Sequence, residues 1–64
     1  MRFEDFGEGD IVVRIGVLKK WEIDNIDSEY VEIIDLRTRV STTLETNFFL
    51  ENWVLAIRRG RKRQ

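Results

Sequence analysis

Apolar and polar residues alternate along most of this 64-residue chain, and a period of two is what a strand with one buried face requires. The first run, "GDIVVRIG", sets Ile11, Val13 and Ile15 on one side and Val12 and Arg14 on the other, with Gly9-Asp10 and Gly16 as punctuation. The second, "VLKKWEIDNI", opposes Trp21 and Ile23 to Lys20, Glu22 and Asp24. "DNIDSE" reads as a turn, because Asp, Asn and Ser side chains bond their own backbone there. "YVEIIDL" follows, with Val31 and Ile33 opposed to Tyr30, Glu32 and Ile34. "RTRVSTTLE" is a more polar fourth run in which Val40, Thr42 and Leu44 share a face. "TNFFLEN" predicts one short helical or 3₁₀ turn capped by Thr46 or Asn47, and "WVLAI" a fifth strand.

Five short strands with tight connections predict an all-β protein, a small closed antiparallel barrel with one helical turn before its last strand. Closure protects strand edges that an open sheet of this length leaves bare. The expected organisation is a barrel over residues 1–57 and a basic, disordered tail over residues 58–64.

Two segments resemble SH3 domains. In "FGEGDIVVRI" a phenylalanine and Gly-Asp lead into a hydrophobic strand, and "FLENWVLAI" is similar to the closing SH3 segment, with its 3₁₀ turn, aromatic, Val and final aliphatic. The resemblance implies a five-stranded antiparallel SH3-like barrel with Phe6, Ile11, Val13, Phe49, Val54 and Ile57 in the core. It places Asn52 and Trp53 where SH3 domains hold ligand-groove residues. The tyrosine-rich first strand of the proline-peptide groove has no counterpart, and Leu50 stands at the groove proline. The middle of the chain is similar to the Tudor and KOW relatives of the barrel. Size and pattern resemble stand-alone SH3-like miniproteins of bacteriophages and plasmids.

Composition narrows the chemistry. There is no cysteine and no histidine, which removes disulfides, thiolate nucleophiles and imidazole bases. Asp24, Asp27, Glu29, Glu32 and Asp35 belong to a solvated hairpin, and their spacing is not that of a calcium loop. The expectation is a non-enzymatic protein with no cofactor and no metal site. No apolar run approaches the ~20 residues of a membrane span, and the amino terminus lacks a secretory segment. A cytoplasmic protein with no membrane partner is expected.

The formal charge of −1 conceals an asymmetry. Residues 1–57 hold all twelve carboxylates and six of the eleven cations, 6 − 12 = −6, while the last seven residues contribute +5. Arg58, Arg59, Arg61, Lys62 and Arg63 can neutralise nucleic-acid phosphates, with a slope of log K on log salt near about −4.5 if all five engage duplex DNA. The same cluster fits a localisation signal or a solubilising terminus. Phe48 and Phe49 cannot both point inward from one turn, so one of Phe48, Tyr30 and Trp53 is expected at the surface. Asn52, Trp53 and Tyr30 are the candidate contacts to a protein partner. The function these features support is a binding module docked on a protein, with auxiliary DNA or RNA contact through the tail. Two alternatives stay open: an acidic-surface inhibitor or nucleic-acid mimic directed at a host enzyme, and a structural protein that self-associates through a sheet edge.

Overall fold

The computed structural model describes residues 2–59. A 3₁₀ turn at Phe3–Asp5 precedes β1 (Ile11–Arg14), β2 (Lys20–Ile26), β3 (Tyr30–Asp35) and β4 (Ser41–Glu45); α1 (Thr46–Asn52) then leads into β5 (Trp53–Ile57). The strands form one antiparallel sheet in the order β4-β3-β2-β1-β5. β1 to β4 make a meander, and β5 returns to lie beside β1. The five-stranded sheet and the helix before its last strand agree with the sequence pattern. Closure does not follow: β4 and β5 are the two edges, and the sheet is not closed by strand pairing. α1 occupies the connection between those edges and lays Phe49 over the core instead.

Cross-strand partners share a face, so the register sorts the side chains. Ile23 opposes Ile33, Val31 opposes Leu44, and Val12 opposes Trp21. The core gathers Phe6, Val12, Ile23, Val31, Ile33, Phe49 and Trp53, with Trp21, Ile26, Leu44, Leu50 and Leu55 packed against it. Phe49 stacks on Trp53 with centroids 5.8 Å apart and meets Phe6 edge-on at 5.2 Å. Such ring contacts add to the area the aromatics bury. As expected of adjacent phenylalanines, Phe49 is buried and Phe48 exposed.

β1 alternates along its pairing with β2, with Val12 rather than Ile11 and Val13 on the core face. Its register against β5 shifts between Ile11 and Val12, leaving Ala56 as the additional residue on β5. A bulge of this kind takes the bulged strand out of strict in-out order, so that Leu55 pairs with Val12 and Ile57 with Ile11. Val12, opposite Trp21, enters the core, Ile11, opposite Glu22, is buried on the other side of the sheet, and Ile15 is exposed. Val13, Val54 and Ile57, assigned to the core by the SH3 resemblance, are half-buried or exposed, whereas Phe6, Ile11 and Phe49 are buried.

The connections are held by side chains. Asp27 Oδ1 accepts the backbone N–H groups of Glu29 and Tyr30, both at 2.8 Å, and closes the β2–β3 turn. Thr46 does not cap α1. Its hydroxyl donates to the carbonyl of Asp27 at 2.8 Å, and its N–H donates to Glu29 O, which ties the helix start to that turn. Glu45 occupies the cap position without a side-chain bond.

Candidate functional site

The meander brings residues distant in sequence to the same end of the sheet. β1 ends at Arg14, β2 begins at Lys20, β3 ends at Asp35 and β4 begins at Ser41. The β1–β2 and β3–β4 loops therefore lie side by side, joined where Leu36 N–H donates to Lys20 O at 3.3 Å. Arg14, Lys19, Lys20, Arg37 and Arg39 all fall at this end, five of the six cations found before Arg58. The opposite end carries Asp24, Asp27, Glu29, Glu32 and Glu45, and residues 21–36 contain no Lys or Arg.

Asp35 organises the basic end. It is buried, and its Oδ1 accepts Arg37 N–H at 2.7 Å and Thr38 N–H at 3.3 Å, while Oδ2 pairs with Lys19 Nζ at 3.0 Å. The Arg37 N–H, then the Lys19 ammonium, hold its carboxyl below the usual range. Arg39 N–H donates to Asp35 O at 2.7 Å, and Arg39 takes a left-handed φ of 66° to complete the turn. In the neighbouring loop Gly16 has a φ of 87° that L side chains rarely adopt. The β3–β4 loop is thus set by the Asp35 carboxylate and the Arg39 turn, and the β1–β2 loop turns at Gly16.

What they present is apolar as well as basic. Leu18 is 99% exposed, and Ile15 and Val40 are also exposed. A hollow of about 410 Å³ between the loops is lined by Leu18, Lys19, Lys20, Asp35, Leu36 and Arg37. The two tryptophans at this end face inward beneath cations. The Arg14 guanidinium lies 5.2 Å from the Trp53 ring centroid, and Lys19 Nζ lies 5.6 Å from that of Trp21.

The residues named as protein contacts are not brought together. Trp53 is 5% exposed, so its ring fills the core and offers no anchor at the surface. Its place as the first residue of β5, opposite Arg14, turns the ring onto Phe49 and Trp21. Asn52 is half-buried; its side-chain amide donates to Phe48 O at 2.9 Å and its carbonyl accepts Ile15 N–H at 2.8 Å. Tyr30 is exposed but sits at the acidic end, beside a second hollow of about 360 Å³ lined partly by Glu29 and Glu45.

Of the basic tail, Arg58 and Arg59 are described, and Arg61, Lys62 and Arg63 lie outside the described residues. Arg58 does not trail away from the sheet. Its guanidinium donates to Asp5 O at 3.0 Å and stands 3.9 Å from Asp10 Oδ2, a carboxylate that also accepts Gly7 N–H. β5 runs from Trp53, opposite Arg14, to Ile57, opposite Ile11. The tail therefore leaves from the end of β5 opposite the basic loops.

Among the described residues no group of three or more carboxylates converges to hold a metal ion, and no helix is long and apolar enough to cross a membrane. The basic loop end is the surface that sequence reading missed. The signal was present as the lack of Lys and Arg over residues 21–36, which confines the body's cations to the flanking loops. Comparison with known protein families, with curated proteins and with solved structures finds no match to this chain.

Proposed function

We propose that the protein is a cytoplasmic, non-enzymatic binding module. In this reading its sheet curls into an SH3-like barrel, and its basic loop end docks on a protein partner with acidic groups around an apolar socket. The observation that carries the reading is Leu18, 99% exposed at the end that gathers five cations. A leucine side chain gains roughly 1.5–3 kcal/mol when a partner takes it out of water, and phosphate offers it no such burial. Single-stranded nucleic acids are gripped by exposed aromatic platforms, whereas Trp21 and Trp53 face inward. The strand order, the helix before β5 and the Gly9-Asp10 entry to β1 favour the barrel. The tail cations Arg58, Arg59, Arg61, Lys62 and Arg63 then serve as auxiliary contacts to DNA or RNA phosphate.

Affinity capture with full-length protein, Leu18→Glu and a chain ending at Arg59 tests this. Truncation after Arg59 keeps the Arg58 contact while removing the rest of the tail. The partner should survive that truncation and be lost with Leu18→Glu, while retention on DNA should fall with the truncation. A partner captured equally by wild type and Leu18→Glu would rule out the loop end as its dock.

The five carboxylates of Asp24, Asp27, Glu29, Glu32 and Glu45 at the other end of the meander favour a second reading, an acidic surface that covers a basic site on another enzyme. Of the carboxylates that could serve it, Glu32 lies at that end, whereas Asp35 is buried and Glu22 is half-buried between Ile11 and Ile34. A partner indifferent to Leu18→Glu but lost with Glu29→Lys and Glu32→Lys would select this reading.

A further inference from the structure

We propose that the hollow between the β1–β2 and β3–β4 loops receives an extended acidic segment of the partner, whose apolar side chains close around Leu18. The inference rests on the loop-end reading and names the form the partner takes there. Leu18 from one loop and the half-buried Leu36 from the other line the hollow, together with the exposed Lys20 and Arg37. Its volume, about 410 Å³, lies within the roughly 300–1,000 Å³ of sites that enclose small ligands. Asp35 also lines it. That carboxylate is already taken by Lys19 Nζ and by the N–H groups of Arg37 and Thr38, so it does not set the site against an acid. Among the described residues Lys20, Arg37 and Arg39 enter no ion pair.

The main chain supplies the second argument. Leu18 and Lys19 lie between β1 and β2, and among the described residues their backbone N–H groups and carbonyls enter no hydrogen bond. An extended segment brings its own main chain to such groups, and its alternate side chains share one face. Two apolar residues separated by one acidic residue therefore reach Leu18 and Leu36 from the same side. Charge identifies the rest of the occupant. Acidic residues before and after that pair meet Lys20, Arg37 and Arg39 around the apolar centre. Nucleic acid brings the charge without aliphatic cover for Leu18, and an uncharged apolar strand leaves the cations unanswered.

Titration of the isotope-labelled full chain with two synthetic peptides, followed by amide NMR shifts, tests the proposal. In the first peptide two leucines alternate with glutamates; in the second, serines replace the leucines. The tail cations attract both alike, so the difference between the peptides reads the hollow alone. The leucine peptide should bind roughly tenfold tighter, with shifts at Leu18, Lys19, Leu36 and Arg37. Leu18→Ser should shrink that preference severalfold, whereas Lys20→Gln with Arg37→Gln should weaken both peptides by similar factors. Equal affinity for the two peptides, or shifts confined to other residues, overturns the proposal. The loop-end reading falls separately. If the peptides bind equally while affinity capture still loses a partner with Leu18→Glu, a folded surface docks there and only this proposal fails. A partner indifferent to Leu18→Glu removes both.

Discussion

Asp35 shows how much of this molecule depends on single carboxylates. It accepts two backbone N–H groups and one ammonium, and by doing so fixes the loop that carries Arg37 and Arg39. Its folded-state pKa lies below the ordinary carboxylate value, as does that of Asp27, which the N–H groups of Tyr30 and Glu29 hold down. A carboxyl depressed on folding contributes stability that is present above its unfolded pKa, about 3.9, and is lost as pH falls through the folded value. Thermal melts should therefore be flat from neutral pH down to about pH 5 and decline below about pH 4. In Asp35→Asn the amide keeps an oxygen for Arg37 and Thr38 but releases Lys19. Its melting temperature should be lower at pH 7, and its decline in acid shallower than that of the wild type. A decline of unchanged steepness would assign the acid sensitivity to other carboxylates.

The strands and the helix were legible because burial on one face imposes a period that survives in any order of elements. β2, β3 and β5 lie where the alternation places them, and Asp27 makes the turn that its side-chain chemistry suggests. The phase of β1 was not legible. Which of its two faces is buried follows from pairing with β2 and with a strand more than forty residues later, and nothing local to "DIVVRI" encodes it. For the same reason Trp53 reads from sequence as a groove residue, although opposition to Arg14 turns its ring into the core. α1 then follows from packing rather than capping, since neither Thr46 nor Asn47 caps it and Phe49 is 0% exposed. Phe49→Ala should cost roughly 3–5 kcal/mol, enough to leave a domain of this size largely unfolded. Leu18→Ala, which uncovers no neighbour, should stay within about 0.5 kcal/mol of wild type. Urea titration of both variants checks the contrast, and a Leu18 variant that destabilises strongly would mean that the leucine is structural.

At the scale of the whole molecule, charge is sorted by folding. Arg14, Lys19 and Lys20 are separated from Arg37 and Arg39 by a stretch with no cation, and only the meander brings the two groups to one end. Sequence totals reveal an acidic body with a basic tail; they do not reveal that the body itself has a basic end and an acidic one. The two ends stand about 20 Å apart, the length of a six-residue strand. Residues 1–57, with 6 − 12 = −6, thus keep a basic end and an acidic one, and the chain passes into the tail at Arg58 from the end away from the basic loops. At low salt a chain ending at Arg59 should be retained by both cation and anion exchangers, and reversal of Lys19 and Lys20 to Glu should weaken its retention on the cation exchanger and not on the anion exchanger. Screening over about 10 Å at 0.1 M ionic strength weakens the pull of either end on a distant charge. Below that ionic strength the basic loop end is drawn toward an acidic surface before contact, and the loop that bears Leu18 is carried there with it.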